Sequence, residues 1–342
     1  VADLIEQREK GLYCAAGDFW IDPWEPVDRA VITHAHSDHA KAGHRQYLTM
    51  ADGVELLRLR LGDDITVRGV AYGECVDING VQVSLHPAGH MLGSAQVRVE
   101  HKGQVAVVSG DYKVRPDPTC PTFEPVRCDL FISEATFALP IYCWPDEAEV
   151  FADINAWWRS NQAVGKTSVL FSYALGKAQR LLAEIDANIG PIYAHGALMR
   201  YEAAYAAADV DQPTVTYCEA KAVKAENGAA LVVAPPSAFG TPWMRKLGKV
   251  STAFASGWMT VRGRRRQRGV DRGFILSDHA DWNGLIEAIT ATGADKVLLT
   301  HGYSAALARW LREMNGLDAA TLMTQYGEED DDAEISSEGA AS

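Results

Sequence analysis

Short apolar runs punctuate this sequence, and six of them lead into a side chain of the kind that binds metal. Ala30-Val31-Ile32-Thr33 runs into His34-Ala35-His36-Ser37-Asp38-His39. The run at 81–86 precedes His90, "VAVVSG" precedes Asp111, "LFIS" precedes Glu134, "FILSD" precedes His279 and "VLLT" precedes His301. Apolar and β-branched residues without polar alternation read as strands buried on both faces. Layered α/β proteins gather their functional groups beyond the carboxyl ends of such strands. The chain is therefore constrained to sheets covered by helices, with imidazoles and carboxylates collected at one edge.

The first cluster is the densest. His34 and His36 are two positions apart, so in an extended segment they point to the same side. Asp38 and His39 follow on the turn that leaves the strand and can face the same spot from another direction. One zinc ion uses three or four protein ligands of these types, and His-x-His-x-Asp-His offers two sets. Strands are expected at 30–33, 81–86, 96–100, 105–109, 130–133, 168–172, 231–234, 274–277 and 296–300. Helices are expected at 177–187, 198–208, 282–291 and 305–314, the last two with apolar residues at three- and four-residue steps. No internal repeat of solenoid length occurs.

The 342 residues suffice for two domains with a substantial core. The six cysteines are scattered without a C-x-x-C pair, which suits reduced thiols in a cytoplasmic protein. No stretch approaches the roughly 18 apolar residues of a membrane span, and no signal-peptide pattern opens the chain. A net charge of −13 argues at first against a polyanionic partner, but the charge is unevenly placed. Residues 327–342 hold seven acidic residues and no basic ones, an acidic, disordered tail by composition, which leaves −6 on residues 1–326. Residues 245–272 hold nine Lys or Arg against the single acid Asp271. Local potential is what a polyanion meets, and "RGRRRQR" is either a solvated loop or a phosphate-binding stretch.

His34-Ala-His36-Ser-Asp38-His39, His90 in an A-G-H-x-x-G-S context and Asp111 in "SGD" resemble the metallo-β-lactamase fold. "VLFSYALGKAQRLL" (169–182), "PIYAHGALM" (191–199), "SGWMTVRGRR" (256–265), "LSDHAD" (276–281) and "THG" (300–302) are similar to signatures of its β-CASP nuclease branch. The opening "GLYCAAGDFWIDPWEPVDRAVITHAHSDHA" is most similar to the bacterial DNA-ligase-associated exonucleases. The resemblance implies an α/β fold, a metallo-β-lactamase αββα sandwich with an inserted β-CASP cap domain. Residues 1–138 and 273–326 would form the sandwich and 139–272 the cap.

It also implies two Zn2+ ions, with Mn2+ as the alternative metal. His34, His36 and His90 would hold one, Asp38, His39 and His301 the other, and Asp111 both. Asp22 in "IDP" would orient the cluster as an outer acid. Two close cations activate water and neutralise phosphate oxygens at neutral pH. His279 would be the general acid and Glu134 its orienting partner, which with Asp38 makes the catalytic set. Lys177, Arg262, Arg264, Arg265 and Arg266 are the candidate nucleic-acid contacts, Lys177 at a helix start where charge and N-terminus add. The implied activity is phosphodiester hydrolysis of DNA, as an exonuclease in DNA repair, with a DNA ligase and a helicase of that pathway as partners and no membrane. An RNA-processing ribonuclease is the alternative, and a small-substrate metallo-hydrolase lies further off.

Overall fold

The computed structural model describes residues 3–261, 263 and 269–323. Arg262, Arg264, Arg265 and Arg266, and the acidic stretch 327–342, lie outside the described residues. The described chain forms a mixed α/β structure of two compact units. One comprises residues up to 142 together with those from 278 onward, and the other comprises residues 143–277.

The first unit begins with a six-stranded sheet in chain order: β1 (Glu6–Arg8), β2 (Gly11–Cys14), β3 (Phe19–Ile21), β4 (Arg29–Val31), β5 (Gln46–Met50) and β6 (Val67–Val70). The first three are an antiparallel meander and the rest are parallel. Helix α1 (Val54–Leu61) connects β5 to β6. A second sheet starts with β7 (Val76–Ile78), β8 (Val81–Pro87), β9 (Ala95–His101), β10 (Gln104–Val108) and β11 (Leu130–Glu134). Asn79 and Gly80, both at positive φ, make the two-residue turn between β7 and β8, the backbone that a tight hairpin demands.

The 143–277 unit carries one parallel sheet. Its strands are β12 (Thr167–Phe171), β13 (Ile192–Ala194), β14 (Thr216–Tyr217), β15 (Leu231–Ala234), β16 (Val250–Ala255) and β17 (Arg272–Phe274), in the order β14-β13-β15-β12-β16-β17. Around it run α2 (Glu147–Ala163), α3 (Lys177–Glu184), α4 (Gly196–Met199), α5 (Glu202–Ala207), α6 (Ala220–Ala225) and α7 (Pro242–Arg245). Asp146 caps α2 by accepting from the Ala148 N–H, and Val150, Phe151, Ile154, Trp157 and Trp158 form its buried stripe.

The chain then returns to the first unit with α8 (Trp282–Thr292), β18 (Lys296–Thr300), α9 (Ser304–Asn315) and β19 (Asp318–Thr321). β18 inserts between β11 and β19, giving the order β19-β18-β11-β10-β9-β8-β7. At the antiparallel end of this sheet Val81, Val83 and Leu85 are buried on one face, whereas on the other Gln82 is exposed, His86 is half-buried and Ser84 is buried. At its parallel end both faces are buried. Ala106, Val108, Leu130, Ile132 and Leu298 join the core shared with the six-stranded sheet, while Val107, Phe131, Val297 and Leu299 pack with Leu285 and Ile289 of α8 and Leu307 and Leu311 of α9. Each large aliphatic side chain so buried contributes about 1.5–3 kcal/mol.

Four expected elements differ by more than one residue at an end. The strand at 30–33 is β4, which ends at Val31, because the Thr33 N–H turns to the Asp22 carboxylate. The strand at 274–277 is β17, which ends at Phe274, because the Ser277 carbonyl accepts from Arg180 Nη1 at 2.8 Å instead of continuing a ladder. The helix at 198–208 is two short ones, broken where the Tyr201 N–H turns back to Leu198 O and the Tyr201 ring is buried. The helix at 177–187 stops at Glu184, since Ile185 is extended and buries its side chain. All six cysteines are free thiols. Among the described residues no helix is long and apolar enough to cross a membrane.

Candidate metal centre

β4 ends at Val31, and the chain beyond it is shaped by one carboxylate. Asp22, at φ 44° just after β3, accepts from the Thr33 N–H (2.8 Å), the Thr33 hydroxyl (2.6 Å) and His39 Nδ1 (2.7 Å). This bonding decides tautomers. The Thr33 hydroxyl gives its proton to Asp22, so it accepts from His34 Nδ1 (3.1 Å), leaving the Nε2 lone pair of His34 facing inward. His39 likewise donates from Nδ1 and presents Nε2. From the other sheet, His90 donates from Nδ1 to the Asp278 carbonyl (2.8 Å) and turns Nε2 inward.

These nitrogens converge. His34 Nε2 and His90 Nε2 each lie 3.1 Å from His36 Nδ1, and Asp111 Oδ2 lies 3.5 Å from His34 Nε2 and 3.8 Å from His90 Nε2. A proton on His36 can satisfy only one of the two facing lone pairs. Donors at about 2.0–2.1 Å from a tetrahedral metal are about 3.3 Å apart, so the four atoms have the spacing of a first coordination sphere. A second group, Asp38, His39 and Asp111, shares the Asp111 carboxylate: His39 Nε2 is 3.4 Å from both Asp38 Oδ2 and Asp111 Oδ2. Buried His39 Nε2 and Asp38 Oδ1 have no hydrogen-bond partner among the described residues. A buried polar atom without a partner costs about 1–3 kcal/mol, and a cation would satisfy both. The donor set therefore fits two metal ions. His301, at φ 60° after β18, lines the same cavity as Asp38 and His39, its ring centroid 5.7 Å from that of His39.

The electrostatics agree with that fit. Burial and the neighbouring His39 hold the His34 pKa well below the usual histidine range. For His39, burial opposes the charged form, but Asp111, Asp38 and Asp22 outweigh it and raise the pKa well above that range. Burial would raise Asp111 and Asp38, yet the positive charge of His39 keeps both ionised far down in pH. The carboxylates thus favour positive charge at His39 Nε2, as a proton or as a metal ion in its place.

Beside it, Glu134 at the end of β11 is fully enclosed. Its oxygens accept from the Tyr112 N–H (2.7 Å), from the Thr136 hydroxyl and from His279 Nδ1 (2.9 Å), which leaves His279 Nε2 as the outward atom. Burial works against the charge on His279, but Glu134, Asp111 and Asp278 push its pKa up to about 10. These carboxylates favour the charged form of His279.

Gly110 closes the Asp111 turn. At φ +57° an added Cβ would stand 2.7 Å from Thr33 Cβ, so only glycine lets this turn approach the Thr33 loop. Gly110→Ala is expected to cost about 1–3 kcal/mol of stability and to weaken metal binding, checked by chemical denaturation and metal titration. Asp22→Asn should lower metal affinity about 10–100-fold, because His39 loses the acceptor that sets its tautomer; a competitive chelator titration measures this.

Lys177 lies in the 143–277 unit and is not an exposed helix lysine. It is 3 % exposed with its ammonium over the Tyr173 ring at 4.6 Å. His44 accepts from the Val27 N–H and packs at a tilt against the Tyr47 ring, with its pKa pushed down to about 4 by burial, as suits a structural histidine. The sequence reading did not mark Thr33, Gly110, Tyr112, Thr136 or Asp278. Asp278 was the most accessible of these, since it directly precedes His279 and its side chain belongs to a tight group with His90 and His279.

No protein-family profile matches the chain. It is 31% identical over 311 residues to a probable DNA ligase of Opitutus terrae, an alignment that covers 90% of this chain and 30% of the ligase. It is 31% identical over 151 residues to a ribonuclease of Thermus thermophilus, covering 35% of this chain and 34% of that protein. The chain thus spans about a third of the length of these curated relatives. The crystal structure of a protein of unknown function from Enterococcus faecalis superposes with a TM-score of 0.56 at 10% identity, over 88% of this chain and 80% of that one. Taken with the paired His/Asp groups, these likenesses define a metallo-β-lactamase-type chain. It belongs to the β-CASP nuclease branch of that fold.

Proposed function

We propose that the chain is a two-metal phosphodiesterase that degrades DNA from an end, with zinc as its metal. The observation that carries this reading is Asp111, one buried carboxylate shared by two groups of converging donors. His34, His36, His90 and Asp111 would hold one ion; Asp38, His39, Asp111 and His301 would hold the other. Such a pair of cations supplies charge neutralisation at the phosphate and lowers the pKa of water. Asp22, bonded to His39 Nδ1 and through the Thr33 hydroxyl to His34, would orient both rings with Nε2 facing inward. As a water oxygen bonds to phosphorus and loses its proton to solvent, the P–O bond to the leaving group breaks and His279, held by Glu134 at Nδ1, would give its Nε2 proton to the leaving oxygen.

In this reading residues 143–277 are the β-CASP cap inserted into an αββα sandwich. The long alignment with a probable DNA ligase favours DNA over RNA and makes a DNA ligase the partner of choice. The test is purified protein with end-labelled single- and double-stranded DNA and RNA, read by product length against time, with metal content measured on the same sample. Steady loss of terminal nucleotides from DNA is expected. Cleavage of RNA beside inert DNA would overturn the substrate, and active protein with one metal or none would overturn the metal reading.

A further inference from the structure

The "PIYAHGALM" stretch takes no part in the metal centre, yet it builds a second feature. β13 ends at Ala194, and His195 follows as the cap of α4. His195 Nδ1 accepts from the Ala197 N–H at 3.1 Å, so its proton sits on Nε2 and makes that atom a donor. The ring of Trp243, from α7 after β15, meets His195 edge-on with centroids 4.8 Å apart. Tyr217, the last residue of β14, lies against Gly196, the next residue after His195, where an added Cβ would touch its ring at 3.2 Å. Tyr217 is 56% exposed, although aromatic rings normally bury their area. The three rings follow three neighbouring strands, at the carboxyl end of a parallel sheet.

Two cations follow Trp243 closely in the chain. Arg245, in the same short helix as Trp243, is exposed and donates from Nη2 to Gly240 O at 3.1 Å; Lys246 beside it is exposed too. Neither has a carboxylate within ion-pair distance among the described residues. An exposed ring, Tyr217, with half-buried His195 and Trp243 and two cations nearby in the fold, offers what a single strand of nucleic acid needs: stacking for the bases and charge for the phosphates. A protein partner's apolar side chain would not use the cations.

We infer that Tyr217, His195 and Trp243 form a stacking site for the bases of a single-stranded segment of the nucleic-acid substrate, with Arg245 and Lys246 on its phosphates. This rests on the nuclease reading. Stacking is indifferent to base identity because every base has a π-face, so the site holds a strand without selecting its sequence.

The probe is a fluorescent oligothymidylate with a phosphorothioate backbone, which resists cleavage, compared by anisotropy with an abasic strand of equal length and charge. The intact protein is expected to bind the base-bearing strand more tightly. Tyr217→Ala and Trp243→Ala should each weaken that strand's binding by about 5–100-fold, with little effect on the abasic strand. Tyr217→Phe and Trp243→Phe should retain binding, which separates stacking from misfolding. Arg245→Gln with Lys246→Gln should weaken both strands alike and lower the salt slope, by about 0.7 for each phosphate no longer neutralised. Equal affinity of the intact protein for the two strands, or ring variants that bind the base-bearing strand as tightly as the intact protein, would overturn the site. Turnover of a phosphodiester by the intact protein is measured separately. Cleavage without base preference refutes the stacking site alone, and base preference without cleavage refutes the nuclease alone.

Discussion

Asp111→Ala is expected to abolish hydrolysis and to strip metal from both positions. Asp111 Oδ2 stands 3.5 Å from His34 Nε2 and 3.4 Å from His39 Nε2, so a single carboxylate serves two groups of donors. Removing any other donor leaves one group whole. Removing this one also deletes the charge that offsets two cations in a buried site, where an unpaired charge is most costly. Metal content should fall from about two ions per chain to less than one, and activity should fall further than the about 10⁴-fold upper range for losing a general acid. Elemental analysis and turnover of the same preparation decide it. A variant that keeps one tightly bound ion and measurable activity would mean that the two groups work independently.

His279→Ala should behave differently, keeping its metal while losing about 10²–10⁴-fold in hydrolysis of a natural strand. The Glu134 carboxylate orients His279 at 2.9 Å and, with Asp111 and Asp278, favours its charged form. A sugar oxygen leaves poorly unless protonated, whereas p-nitrophenolate leaves without help. The loss should therefore shrink on bis(p-nitrophenyl) phosphate. Glu134→Gln should show the same pattern in milder form, since an amide still accepts a hydrogen bond but carries no charge to favour imidazolium. An equal loss on both substrates would exclude proton donation by His279.

Much of the architecture could be read locally. The apolar run 130–133 is β11 almost residue for residue, 296–300 is β18, the helix at 282–291 is one residue shorter than α8 at its end, and that at 305–314 is one residue shorter than α9 at each end. Those segments are buried on a face or on both, so their periodicity is strong and their boundaries are marked by caps: Asp281 begins α8, and Gly293 and Gly316 in the left-handed region end α8 and α9. The stripe of α2 was equally present in the sequence, where "VFADINAWW" carries apolar residues at helical spacing. The short breaks at Ser277 and Tyr201 were not, because they answer to a distant arginine and to burial of one ring.

Side-chain chemistry is a property of the residue, and the spacing of neighbours follows from the backbone they share. For that reason the sequence alone determined the layered α/β class, the strand ends that carry ligand-type residues, and the two sets of donors within His34–His39. Tertiary structure decided what those residues do to one another. His90 owes its inward Nε2 to a carbonyl 188 residues away, His34 owes its own to Thr33 and Asp22, and the Asp111 turn fits against Thr33 only because position 110 lacks a Cβ. Lys177, readable as a surface cation, is buried against Tyr173. Tautomer, burial and convergence depend on groups brought together by packing between strands far apart in the chain, and no local pattern records which groups those will be.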